Sequence, residues 1–368
     1  MFWQRDKIWE RYEAWWEGEE TILKVNAPKP GYVPPKIPSQ VENVGWLLAY
    51  VAERWVKEAE RPDWDWIWGM YCASWERTYF GGEAYPQIWL NFGPGVMAAY
   101  LSGYADFRGD TMWFELPRPL TWEKISDLDY DLENPWWHFS LEAVHELGKR
   151  AREEGIVLGT TDIGGVHDVL ASLRGAENIM TDFYDHPQEL QREADRILTL
   201  WHRYYDELDE VISLYQDGRD AWMHIYSELR WYPIQCDLAY MLSPEMFERF
   251  VVPILEGHCK RLERTIYHLD GEGQLVHLRY LLEIPELSGI QWVPGSGSPT
   301  CGDPCWFPYY QRIQEKGKLL VLVEDVLLEQ LEGLMDAISP KGVLVSVQVQ
   351  DVETAQEVEK RFQRWRDS

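Results

Sequence analysis

Short runs of apolar and β-branched residues alternate along this chain with longer stretches in which apolar positions return every three or four residues. TILKVN from Thr21, QIWLNF from Gln87, IVLGTT from Ile156, AWMHIY from Ala221, RTIYHL from Arg264, GIQWV from Gly289, KLLVLV from Lys318 and GVLVSVQV from Gly342 predict eight strands. The clearest helical signal opens at His186-Pro187. Leu190, Ala194, Ile197, Tyr204, Leu208 and Val211 then recur on one face, with Glu, Arg and Asp on the other. Ser243-Pro244-Glu245 predicts another helix start, with Ser as N-cap, Pro at the first helical position and an acid at the positive end of the dipole.

Strands separated by helices pair in parallel through right-handed crossovers, and eight such units close into a barrel. The expected fold class is therefore α/β, a single (β/α)8 TIM barrel over residues 1–368. The rival is a doubly wound open sheet, whose G-x-G-x-x-G fingerprint is missing: TILKVN runs into the Pro-rich APKPGYVPP. Residues 1–20 are expected to form an arm or docking helix, and the Trp-rich stretch 61–82 a loop-rich insertion over one barrel end.

Charge narrows the class of partner. With a net charge of −27, the chain would be repelled by nucleic acid and by anionic membranes, so neither is expected as a partner; a small-molecule substrate is. A 26% charged and 45% hydrophobic composition is that of an ordinary folded chain. No run approaches the ~18 apolar residues of a bilayer span, and the charged start MFWQRDKIWERYEAWWEGEE has no signal-peptide core. The five cysteines make no disulfide framework, which points to a reducing compartment and a cytoplasmic location. Trp, at 21 residues, outnumbers Phe, at 11; core packing is the first reading of these rings and pocket lining the second.

In a barrel the chemistry sits at the carboxyl ends of the strands. The predicted ends deliver Asn91 before Gly93-Pro94-Gly95, Asp162 after Thr161, Glu228 after Ser227, His268 and Asp270 on one strand, Gln291 and Trp292 before Pro294-Gly295, and Glu324-Asp325. Carboxylates that converge in a cleft raise one another's pKa and keep an acid protonated near neutrality, although a single acid after a strand commonly just caps the next helix. His268 and Asp270 lie two apart and leave the same strand face. They are either ligands of a divalent metal, with Glu324 or a Cys as the third, or an acid and its neighbour in a metal-free site. Cys301-Gly-Asp-Pro-Cys305 offers two thiols to one zinc ion or to a local disulfide, or is incidental. The stretch IYSELRWYPIQCD from Ile225 reads as a loop, either a pocket wall or a crossing whose aromatics pack on the rim. The candidate catalytic residues are thus Asp162, Glu228, His268 and Asp270. Candidate substrate contacts are Asn91, Tyr226, Trp231, Gln235, Asp237, Gln291 and Trp292; candidate metal ligands are His268, Asp270 and Glu324.

Three segments, TDIGGVHDVLASLRGAENIMTDFYDHPQEL, QCDLAYMLSPEMFERFVVPIL and YHLDGEGQLVHLRYLLEIPELSGIQWVPGSGSP, resemble the uroporphyrinogen decarboxylase superfamily, which includes the corrinoid-dependent methyltransferases. The resemblance spans roughly the last two thirds of the chain, and the first 85 residues match loosely. It implies a (β/α)8 barrel with a deep cleft, a homodimer, zinc as metal, and a corrinoid protein as partner in a methyltransferase-like one-carbon transfer. The runner-up is a decarboxylase-type lyase with Asp162, Glu228 or Asp270 as general acid, and a third reading is a non-catalytic barrel that binds a small molecule or a corrinoid protein. The methyltransferase branch ligates zinc through His-x-Cys and a later Cys; here His268 matches the His, Asp270 stands for the first Cys, and Glu324 lies where the second would be. The arginines with which the decarboxylase branch holds substrate carboxylates have only Lys24 and Lys29 in their place.

Overall fold

In the computed structural model, which describes residues 5–31, 33–323 and 326–366, seven of the eight apolar runs become strands. In chain order the strands are β1 (Ile22–Pro28), β2 (Thr78–Gly82), β3 (Gln87–Trp89), β4 (Asp106–Phe107), β5 (Met112–Trp113), β6 (Val157–Gly159), β7 (Trp231–Gln235), β8 (Arg264–Asp270), β9 (Gly289–Val293), β10 (Leu319–Leu322) and β11 (Val343–Gln348). A seven-stranded sheet runs β2-β1-β11-β10-β9-β8-β7. Its neighbours are parallel except for β2, which lies antiparallel on β1. β3 pairs with β6 in parallel, and β4 with β5 antiparallel. The fold is thus mixed α/β and dominated by parallel strands. Among the described residues no ladder joins β6 to β7 or β1 to β3, so the hydrogen bonds do not close into the expected ring.

AWMHIY is the run that does not become a strand. Only Ala221 bridges, to Thr160, and the chain doubles back so that Arg219 pairs with Ser227. Its carbonyls are taken by side chains: Gln87 Nε2 donates to Ala221 O, and Lys24 Nζ donates to Met223 O and His224 O. The strand is instead WYPIQ, within the segment read as a loop for its weak apolar periodicity; it carries Pro233. Proline is tolerated on an edge, where its missing N–H breaks no ladder. Among the described residues β7 is such an edge, paired with β8 alone.

The Trp-rich stretch is also more ordered than expected. It forms a helix, Trp64–Glu76, N-capped by Asp63, and then strand β2. β2 ends at Gly82, whose φ is +61°; a Cβ there would stand 2.1 Å from Leu23 O on the neighbouring strand, so only glycine fits. The predicted helix after His186 runs Pro187–Ile212 and buries Leu190, Ala194, Ile197, Tyr204 and Leu208. Ser243 Oγ accepts from Met246 N as the N-cap of a helical stretch that loosens to π geometry at Phe247–Val251.

Two apolar cores lie on opposite faces of the strands. The larger packs the helices against one face. The smaller gathers Ile22, Val157, Ile266, Leu319, Val321 and Leu344 on the other, beneath the helix Arg5–Trp16. This helix lies within residues 1–20, the stretch expected to form an arm or a docking helix. Trp9, Tyr12, Trp15 and Trp16 face the small core, while Glu13 and Glu17 take the guanidinium of Arg264, the first residue of β8 (2.7 and 3.1 Å).

Candidate functional site

The register of the parallel strands sets one face in rows. Gln235, His268, Gln291 and Val321 pair in turn across β7, β8, β9 and β10. Asp270 follows on the same face two residues beyond His268, and Asp237 follows Gln235. This brings Asp237, His268 and Asp270 together, with one ligand-capable atom of each within 4.8 Å of the others. Asp237 is the most exposed of the three, and His268 and Asp270 are half-buried.

Two neighbours orient the trio. Gln291 Oε1 lies 2.6 Å from His268 Nδ1. An amide oxygen only accepts, so Nδ1 carries the proton and Nε2 keeps the free lone pair. Trp222 sets its ring edge-on to the imidazole, with centroids 5.0 Å apart and planes at 89°. Gln235 Nε2 reaches Asp237 Oδ2 at 3.4 Å.

Two further carboxylates crowd this end. Asp162 is buried after β6, and its Oδ1 accepts from Gly164 N at 2.8 Å. Asp168, in the first turn of the helix Val166–Arg174, accepts from Asp237 N (3.0 Å) and Leu238 N (2.9 Å), clamping the end of β7. Burial, then the Asp237 charge, pushes Asp162 up to about 7 and Asp168 likewise to about 7. Asp237 opens to water on one side but is hemmed in by protein on the others; that crowding, and then the Asp270 charge, raises it to about 6.

Asp162 therefore supports a pH prediction. An unfolded aspartate titrates near 3.9, so between about 4 and 7 the folded chain holds a proton that the unfolded chain releases. The penalty for ionising Asp162 in place is complete above about pH 7 and gone below about pH 4. Asn can still accept from Gly164 N but does not titrate. Asp162→Asn is expected to stabilise the chain most at pH 8 and progressively less towards pH 5, measured by urea unfolding at both; a gain that grows on acidification would refute the assignment.

Other predicted site residues lie elsewhere. Trp231 starts β7 opposite Arg264, the Tyr226 ring stacks on Trp9 (3.8 Å), and Glu228 is exposed with its N–H on Glu13. All three belong to the opposite strand ends, by the amino-terminal helix, because the chain doubles back before β7. Trp292 points into the helix-covered core, where its ring meets Trp306 at 5.0 Å. Asn91 holds its own turn, donating to Gly45 O and accepting from Gly93 N. Glu324 lies outside the described residues. Cys301 is buried and Cys305 exposed, and neither joins the His/Asp group.

Sequence reasoning missed Asp168 and Trp222. Asp168 stood in view, an acid one helical turn past TDIGG. Trp222 carried no signal, because its segment looked like a strand.

Neither a protein-family model nor a curated protein sequence matches the chain. Among the described residues no helix is long and apolar enough to cross a membrane.

Proposed function

We propose that this chain is an enzyme of the uroporphyrinogen decarboxylase type, built on a (β/α)8 barrel, that carries out a methyltransferase-like one-carbon transfer at a divalent metal held by Asp237, His268 and Asp270. For the barrel, the support is at the two gaps in the ladders. Tyr232 OH donates to Thr161 O and accepts from Ile163 N across the β6 to β7 gap. Glu83, between β2 and β3, accepts from Leu23 N of β1.

For the metal, the observation that carries the reading is the convergence of the three donors, with Gln291 fixing the imidazole so that Nε2 is available. Two carboxylates and one imidazole suit a hard to borderline divalent ion better than a soft, thiolate-ligated zinc. When bound, such an ion supplies Lewis acidity to a substrate oxygen or other nucleophile. The chain's own part is to hold and neutralise: Asp237 and Asp270 provide the charge, Gln291 the orientation of His268. A corrinoid protein is the proposed partner of the transfer.

The raised Asp162 and Asp168 favour a second reading, a decarboxylase-type lyase in which one of them, protonated near neutrality, gives its proton to a carbanion. Metal analysis and calorimetric titration of the chelated protein with Mn(II), Co(II) and Zn(II) separate the two. The first reading expects one saturable site whose affinity drops about 10–100-fold in Gln291→Met, the usual cost of losing a partner behind a metal ligand. Absence of such a site leaves only the metal-free reading.

A further inference from the structure

A cavity of about 360 Å³ opens on the same strand face, between β1, β3 and β11. The chain as a whole carries a net charge of −27, yet no carboxylate occurs among the described residues that line it. Much of its wall is aromatic, with Trp75, Phe80, Trp89 and Trp222 contributing, and its one formal cation is Lys24.

Lys24 is 7% exposed. Its ammonium donates to Met223 O (3.3 Å) and His224 O (3.0 Å), which leaves a third N–H, and among the described residues it makes no ion pair. Asp220, whose charge reaches the ammonium, forms no ion pair with it and accepts instead from Tyr85 OH and from Ala221 N. Gln87, 5% exposed in the same wall, leaves Oε1 without a partner. A buried ammonium with no ion-paired carboxylate is costly, and an arriving anion offsets that cost.

We infer that this cavity binds a flat organic monoanion, an aryl carboxylate in class, with the carboxylate on Lys24 and the ring among Trp89, Trp222 and Phe80. An inorganic anion would leave the aromatic wall unmatched, and an uncharged ring would leave Lys24 unanswered. Trp222 touches both the cavity and His268, so the far end of such a ligand is directed at the proposed metal site. That direction rests on the function proposed above; the anion binding does not.

The groups facing Lys24 fix the pH response. Burial lowers Lys24 to about 8; His224 is kept neutral at about 3 and Tyr85 stays protonated. Asp220, raised by burial to about 7, gains charge as pH rises. Loss of the ammonium and gain of the Asp220 charge both weaken anion binding as pH goes from 6.5 to 9, while benzoate stays ionised throughout.

The test is titration of the full chain with benzoate, and with benzamide as its uncharged counterpart, followed by tryptophan fluorescence and calorimetry. Benzoate is expected to bind saturably and about tenfold more tightly than benzamide at pH 6.5, the advantage of one charge-assisted contact. That margin should vanish in Lys24→Met and shrink at pH 9 in the unaltered chain. The pH series needs no variant, so it holds even if Lys24→Met does not fold. Benzoate no tighter than benzamide, or an affinity unmoved between pH 6.5 and 9, overturns the inference. Repeating the titration after chelation distinguishes the two proposals: benzoate binding without metal binding rejects the metal site alone, and the reverse rejects the cavity alone.

Discussion

The His268→Ala chain is expected to bind the proposed divalent metal at least about 100-fold more weakly than the unaltered chain, the upper end of what a partner behind a ligand is worth. Of the three donors only the imidazole is held by a neighbour from another strand, through Gln291 at 2.6 Å. Removing it leaves Asp237 and Asp270, two like charges that repel and fix no geometry. Co(II) makes the outcome readable. Its visible spectrum reports nitrogen and oxygen ligation in the unaltered chain and should revert to that of the free aqueous ion in the variant. Asp270→Ala should behave in the same way, while Glu228→Ala, at the opposite strand ends, should leave the spectrum unchanged. A cobalt spectrum that survives His268→Ala removes the metal from the proposed function and leaves the protonated carboxylates as its chemistry.

Trp15→Ala is expected to destabilise the chain by about 3–5 kcal/mol, the usual cost of deleting a large buried ring. Trp15 is fully buried where the amino-terminal helix meets the smaller core, in contact with Trp16 at 4.8 Å. The helix has other ties: Trp16 Nε1 donates to Tyr226 O at 2.9 Å, and Glu13 and Glu17 bind Arg264. These keep it docked, so the loss should read as a lower urea midpoint with little change in slope. A midpoint shift worth less than about 1 kcal/mol would mean that the helix contributes little to closing that core. Cobalt binding, at the other end of the strands, should be unaffected.

His268, Asp270 and Gln291 were legible in the sequence because they sit on strands whose apolar alternation is plain, and period two alone puts His268 and Asp270 on one face. Asp237 was picked as a pocket residue, but its place beside them depends on β7, and the weak periodicity of that segment hid the strand. Reading AWMHIY as the fourth strand is why Tyr226, Trp231 and Glu228 were assigned to the other end: shifting that strand from Ala221 to Trp231 moves these residues from the carboxyl ends to the amino ends. Asp168 shows a different limit. Its role is to accept from two backbone N–H groups just beyond β7, 69 and 70 residues away, a contact with no local pattern.

The sequence by itself determined the alternation of strands and helices, the side of each strand on which its polar residues lie, and a net charge that disfavours polyanionic partners. These follow from local sterics, periodicity and counting. Only the tertiary structure decided which carboxylates meet, that the segment at Ala221 folds back against Lys24 and Gln87, and that a buried ammonium faces an aromatic cavity in an acidic chain. Those features depend on register between strands and on burial, and both are set by packing of residues far apart in the chain.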